Sequence, residues 1–159
     1  MDVSIVYVTA KGKKILEARL EELIAQREEV ANSIREAREY GDLKENAEYA
    51  AAREAQANLE DEIASIQFKL QNLKMFSYAK ADTNKVGVGS KVKIQEIGGK
   101  KVQEWTITGV IENDPSNFYI SNEAPLGKSL LGKAVGETVE INTPSGVHKY
   151  KVVSISAGA

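Results

Sequence analysis

The chain has no cysteine, one histidine and one tryptophan among its 159 residues. Without thiols it cannot form disulfides, use a cysteine nucleophile or bind zinc through cysteine, which fits a reducing compartment. The single histidine, His148, precedes a predicted strand and is interpreted as a structural or surface residue. No stretch approaches the roughly 18 consecutive apolar residues of a membrane span. The sequence also does not begin with the basic segment followed by an apolar segment that is typical of a signal peptide. We therefore expect a cytoplasmic protein.

An excess of charge of one sign is also missing. The chain has 21 Lys and Arg against 23 Asp and Glu, a net charge of −2. Such a balance gives no global attraction for free nucleic acid. The glycines that lie close together, Gly87, Gly89, Gly98 and Gly99, do not precede a predicted helix, so they do not form a phosphate-binding loop.

Proline is absent before Pro115, and two uninterrupted heptad patterns lie within that part of the chain. The first runs from Ala10 to about Tyr40, with Arg27 in a polar slot, and its seam is Leu16, Leu20, Leu23, Val30, Ile34 and Ala37. The second runs from about Leu43 or Asn46 to Leu73 or Phe76, and its seam is Tyr49, Ala52, Gln56, Leu59, Ile63, Ile66, Leu70 and Leu73.

A compact turn is predicted between the two patterns. Gly41 suits the end of a helix, and Asp42 followed by Glu45 resembles a capping box for the next helix. Folding at this turn pairs the two seams, so residues 1–78 are predicted to form an intramolecular antiparallel coiled coil. A parallel homodimer is the alternative, but it would place Gly41 inside a helix at a cost of about 1 kcal/mol.

After this segment the pattern changes. Residues 79–89 lose the heptad and are predicted to be a linker, and residues 90–159 show β periodicity. Five strands are predicted at Val92–Ile97, Val102–Ile111, Phe118–Ser121, Val139–Asn142 and Lys149–Ile155, with one short helix at Ser129–Leu131. The expected architecture is therefore two domains, an α-helical hairpin followed by a small α+β domain.

Four acidic residues, Glu39, Asp42, Glu45 and Glu48, lie within ten residues around the predicted turn. Carboxylates at the end of a rigid helical rod suit metal coordination or presentation to the cleft of a partner. The alternative is that these acids belong to an ordinary solvent-exposed turn without a function. The residues alone leave these alternatives open.

The string R-E-Y-G-D-L-K-E-N-A-E-Y-A-A-A-R-E-A-Q, at residues 38–56, resembles the tip sequence of the bacterial Gre transcript cleavage factors of the GreA type. The resemblance extends to T-A-K-G at residues 9–12, N-E-A-P-L-G-K at residues 122–128 and T-P-S-G at residues 143–146. It therefore covers both halves of the chain.

The resemblance implies a factor whose coiled coil enters the secondary channel of bacterial RNA polymerase and stimulates cleavage of the RNA 3′ end in backtracked complexes. Asp42 is then expected to hold a second Mg²⁺ jointly with the polymerase, and Glu45 to orient or deprotonate the attacking water. The free protein is expected to bind no metal tightly, to be a monomer and not to be an enzyme by itself.

The resemblance also assigns binding residues. Arg38 and Arg53 match a basic patch for the nascent RNA, and pairing with Glu39 or Glu54 is the alternative for them. Lys44 is expected to face the polymerase or a phosphate. The second domain resembles the FKBP-like fold of the family and is expected to dock on the rim of the channel, through Asp114, Asn122, Glu123, Ala124, Pro125 and Leu126.

One residue departs from the family pattern. Relatives of the GreA type often have histidine where this chain has Ala50, which leaves the tip acids intact but puts the strength of cleavage in doubt. Two further hypotheses remain: a secondary-channel regulator that does not promote cleavage, and a coiled-coil chaperone or adaptor. An acidic tip disfavours the chaperone, which would need exposed apolar residues there.

Overall fold

The computed structural model describes residues 5–41 and 46–159. The chain divides into two compact units, one of Lys13–Asn72 and one that combines Met1–Gly12 with Leu73–Ala159. This division departs from the predicted boundaries, because the start of the chain belongs to the second unit. Within the described residues, no helix combines the length and apolar character needed to cross a membrane.

Two long helices, α1 (Ala10–Arg38) and α2 (Ala47–Gln71), carry the heptad patterns. Thr9 caps α1, because its hydroxyl accepts a hydrogen bond from the Gly12 amide at 3.0 Å. At about 1.5 Å per residue, α1 is about 44 Å long and α2 about 37 Å. The helices run antiparallel, as their cross-links show: Arg19 contacts Glu62 at 3.0 Å, and Arg27 binds Glu60 through two bonds of 2.9 Å.

The predicted seam is the side that is buried. Its buried members are Leu16, Leu23, Ile34, Ala37, Ala52, Leu59, Ile63 and Ile66. Arg27 occupies its polar slot with its side chain about half exposed, which lets its guanidinium reach Glu60 while its stem covers the seam. The antiparallel coiled-coil hairpin is therefore confirmed.

The second helix ends earlier than predicted. Asn72 terminates α2, and its side-chain amide donates to the Phe68 carbonyl at 2.8 Å. Leu73–Met75 then forms strand β2, which pairs in parallel with β1 (Val6–Val8). The heptad pattern continues through Leu73, which is why the sequence suggested further helix.

The second unit is built on a five-stranded sheet with the order β5-β4-β3-β7-β6. Its strands are β3 (Ser90–Glu96), β4 (Val102–Thr108), β5 (Tyr119–Ser121), β6 (Thr138–Thr143) and β7 (Gly146–Ala157), and a short helix, α3 (Pro125–Leu130), lies between β5 and β6 in the chain. The β4–β5 pair is parallel and the other pairs are antiparallel. Its core includes Val92, Ile94, Ile107, Leu130 and Val152, each with no exposed surface. This is the small FKBP-like α+β domain that was predicted.

The segment predicted as a linker packs on this sheet unit. Val86 is 3% exposed and belongs to the core. Its amide donates to the Lys133 carbonyl at 2.8 Å, and the Gly89 amide donates to the Ile107 carbonyl at 2.7 Å. Residues 79–89 therefore complete the sheet unit, because one buried apolar side chain and two backbone bonds fix them there.

Candidate functional site

The described part of the hairpin tip is organised by Asn46. Its Oδ1 accepts hydrogen bonds from the amides of Glu48 at 3.0 Å and Tyr49 at 3.1 Å, which makes it the N-cap of α2. Its Nδ2 donates to the Ala37 carbonyl in the last turn of α1 at 2.6 Å. One side chain therefore links the end of α1 to the start of α2. The asparagine just before A-E-Y, with Glu48 in the first turn, is the sequence signal that identifies this cap.

The predicted tip residues Asp42, Lys44 and Glu45 lie outside the described residues, as does the predicted cap at Asp42. They belong to the short connection between Gly41 and Asn46. Among the residues that are described, no group of three or more histidine, aspartate or glutamate side chains could hold a metal ion.

The structure brings the two predicted RNA-binding arginines to the same side of the hairpin. The Arg38 guanidinium lies 6.0 Å from the centre of the Tyr49 ring, a cation–π arrangement. Arg53 lies one helical turn beyond Tyr49 and donates to Gln56 Oε1 at 3.3 Å. Tyr49 itself is half-buried, which fits the packing role predicted for it. Two positive charges thus lie within about one helical turn of Tyr49.

Another side of the tip has a different character. A groove of about 400 Å³ lies between the helices, and its lining includes Ala37, Ala51, Ala52 and Ala55. Tyr40 stands at its edge with 73% of its surface exposed. By helical spacing Ala51 and Ala55 lie about 200° around α2 from Arg53. The tip therefore has a basic side and a side lined with small residues.

The predicted docking residues flank β5 in the sheet unit. The Asp114 carboxylate accepts hydrogen bonds from Asn117 Nδ2 and Ser116 Oγ, both at 2.7 Å, and these bonds lower the pKa of Asp114. Beyond β5, the Asn122 amide donates to the Thr108 carbonyl at 2.8 Å.

The rest of this segment differs in exposure from residue to residue. Glu123 and Pro125 are exposed, and Ala124 precedes α3 as its N-terminal cap position. Leu126 packs against the sheet core, so much of its side chain serves folding. Only part of the predicted docking segment is therefore available to a partner.

Two polar arrangements in the sheet unit were not predicted. Glu112 accepts hydrogen bonds from both the amide and the hydroxyl of Thr9, each at 3.0 Å. His148 has polar neighbours after all: Nε2 lies 3.1 Å from Ser145 Oγ and Nδ1 lies 3.6 Å from Glu96. The order Ser–His–Glu resembles a catalytic triad. However, the Glu96 distance exceeds a hydrogen bond, and Ser145 is exposed at a hairpin turn.

Comparison with known protein families identifies the class of protein to which both units belong. Residues 6–75 match the family described as "Transcription elongation factor, N-terminal", and residues 81–157 match "Transcription elongation factor, GreA/GreB, C-term". Both the helical hairpin and the sheet unit are thus those of a transcription elongation factor.

Individual relatives agree over nearly the whole chain. The transcription elongation factor GreA of Shouchella clausii is 42% identical over 150 residues, 94% of this chain and 95% of the relative. That of Caldanaerobacter subterraneus is 42% identical over 151 residues, 94% of this chain and 96% of the relative. The crystal structure of GreA factor homolog 1 from Thermus thermophilus covers 96% of this chain and 99% of its own, at 24% identity and a TM-score of 0.46. The chain belongs to the GreA/GreB family of transcription elongation factors.

Proposed function

We propose that this elongation factor binds bacterial RNA polymerase in the cytoplasm as a monomer and inserts its hairpin into the secondary channel. There it stimulates endonucleolytic cleavage of the RNA 3′ end in backtracked complexes, so that elongation resumes. The observation that carries this proposal is the position of the acids. Asp42 and Glu45 lie in the short connection between α1, which ends at Arg38, and α2, which begins at Ala47. The two carboxylates thus belong, by sequence, to the connection between two helices of about 40 Å.

The tip carboxylates complete an active site that belongs to the polymerase, so the factor is not an enzyme by itself. Mg²⁺, when held jointly with the polymerase, supplies charge stabilisation for the attacking and leaving oxygens. Asp42 provides an oxygen ligand of the kind that Mg²⁺ prefers, and one or two carboxylates are the usual protein share of such a site. Glu45 orients the attacking water and accepts its proton.

The basic side of the tip contacts the RNA backbone. Arg38 lies over the Tyr49 ring and Arg53 lies one helical turn beyond Tyr49, and their charges suit the phosphates of the extruded 3′ segment. Such contacts position the strand without reading its sequence. Lys44 contacts the polymerase or a phosphate from within the connection.

The sheet unit docks on the rim of the channel. The exposed side chains of Glu123 and Pro125 lie beside Asn122 and Ala124, and the ordered turn at Asp114 lies at the other end of β5. Leu126 supports this surface from the core side. A rigid sheet holds these residues in place, which favours specific docking.

The test uses a stalled, backtracked elongation complex with labelled RNA, to which Mg²⁺ and the full-length factor are added. The wild type is expected to shorten the RNA from its 3′ end. Asp42→Asn should lose this activity and still compete with the wild type for the polymerase. Glu54→Gln, which removes an exposed carboxylate from α2 without touching the connection, is the matched control and should cleave normally.

The other outcomes separate the alternatives. Binding without cleavage by the wild type would identify a secondary-channel regulator that modulates the polymerase. If the wild type does not bind RNA polymerase, the proposal that the polymerase is its partner is wrong. Equal cleavage by the wild type and Asp42→Asn would contradict the role of the donated carboxylate.

A further inference from the structure

Tyr40 is the most exposed of the large apolar and aromatic side chains that the structure describes. Its surface is 73% exposed, although it follows the same 3-4-3 spacing as Val30, Ser33 and Ala37, which line the groove between the helices. Its amide donates to the Ala37 carbonyl at 3.3 Å, so the backbone at Tyr40 continues the last turn of α1. An aromatic ring is thus held at the tip by an ordered backbone without being used for packing.

We propose that Tyr40 stacks on an unpaired nucleobase of the extruded RNA and positions the strand for cleavage. This inference rests on the proposed function, since it concerns the same RNA 3′ segment. Stacking suits this substrate because every base has a π face, so a ring can bind the strand whatever its sequence. A factor that acts wherever the polymerase stalls needs such tolerance.

The charges around the tip favour a base in the groove and the RNA phosphates on the side of the arginines. The groove beside Tyr40 is bordered by Glu36 and Glu48, whose carboxylates repel phosphate and accept hydrogen bonds from base amino groups. Arg38, two residues before Tyr40, presents its positive charge on the side of Tyr49. The RNA backbone therefore lies toward the arginines while a base turns toward Tyr40. Alanines of both helices line this groove, and their short side chains leave space beside the ring.

The first experiment compares Tyr40→Ala, Tyr40→Phe and the wild type on one backtracked complex. Tyr40→Ala is expected to lower the second-order rate constant of cleavage about 5-fold to 100-fold, the range that loss of one base–aromatic stack produces. Tyr40→Phe keeps the ring and should cleave like the wild type. Phe68→Ala, which removes an aromatic side chain of 50% exposure far along α2, is the matched control and should have no effect.

The second experiment identifies what the ring touches. The same variants are tested on a complex whose extruded RNA nucleotides are abasic. If Tyr40 stacks on a base, the wild type should cleave the abasic RNA about as slowly as Tyr40→Ala cleaves intact RNA. On the abasic RNA, Tyr40→Ala should cause no further loss of rate. An effect of Tyr40→Ala that persists on abasic RNA would overturn the proposal and indicate a contact with the polymerase. Loss of activity in Tyr40→Phe would also overturn it, because the hydroxyl would then be the functional group.

The outcome separates this inference from the proposed function. If Asp42→Asn abolishes cleavage while Tyr40→Ala leaves it unchanged, the ring has no part in positioning and the carboxylate mechanism stands. If the wild type itself does not cleave, the proposed function fails. Circular dichroism of each variant confirms that the helices are intact.

Discussion

Replacing Asn46 with alanine removes three hydrogen bonds at the tip, one of which links the two helices. Two of them cap α2, and loss of an N-cap costs typically about 1 kcal/mol. The third, from Nδ2 to the Ala37 carbonyl, is worth a further ~1 kcal/mol, although that carbonyl also accepts from the Tyr40 amide. We therefore expect Asn46→Ala to lower the free energy of unfolding of the hairpin by about 2 kcal/mol.

Two measurements test this value on the full chain. Urea unfolding followed by far-ultraviolet circular dichroism reports the helices, and the midpoint should fall without a change in slope. Hydrogen exchange reads the cap directly, because the amides of Glu48 and Tyr49 lose their acceptor and should exchange about 5-fold faster or more. Cleavage should fall too, since the ends that hold the connection are no longer linked.

Two variants sharpen the result. Asn46→Asp keeps an oxygen that accepts both amides and adds a charge that the helix N-terminus favours, so it should lose only the bond to Ala37. Asn58→Ala, at an exposed position in the middle of α2, should be neutral or slightly stabilising. The reasoning is refuted if Asn46→Ala unfolds at the wild-type midpoint, or if Asn46→Asp is as damaging as Asn46→Ala.

Two further predictions concern the core and the pH dependence. Ile63 is 1% exposed in the seam, and Ile63→Ala is expected to lower the free energy of unfolding by about 2–5 kcal/mol, measured by the same urea unfolding. An unchanged midpoint would mean that the seam is not packed. Burial, and then the charges of Glu112 and Tyr119, raise the pKa of Tyr78 to about 12. Because the fold favours the neutral phenol, this contribution to stability is fully present below pH of about 10 and is lost as the pH rises toward 12. A pH titration followed by near-ultraviolet absorbance should show that the tyrosine ionisation at a pKa of about 12 is missing in Tyr78→Phe. An identical titration of the two proteins would contradict the assignment.

The helical hairpin could be predicted because each helix buries one stripe, and that stripe repeats with the heptad. Leu23 and Ile63 show the principle, since both are buried where the spacing predicts. The β1–β2 pair could not be predicted, because its strands have three residues each and pair across the whole hairpin. Val86 is similar: a single apolar residue in a polar segment gives no sign that it reaches the core.

The residue types of the candidate site can be read from the sequence, but their arrangement cannot. Asp42 and Asn46 both have the chemistry of an N-cap, and the structure shows that Asn46 caps α2. That the two arginines share a side of the hairpin is visible only after folding, because Arg38 is the last residue of α1 whereas Arg53 lies six residues beyond the start of α2. Exposure of Tyr40 depends on where α1 ends, and helix ends are the least predictable part of a helix.

The parallel pairing of β1 with β2 makes the helical hairpin an insertion within the sheet unit. During synthesis, β1 must therefore wait for the whole hairpin to emerge before its partner strand exists. An unstructured insertion of that length would make joining its ends entropically costly, whereas a folded antiparallel hairpin returns the chain to where it began. The same topology lets hairpin length vary independently of the sheet. Deleting one heptad from each helix would shorten the reach of the tip by about 10 Å and leave every residue of the sheet in place.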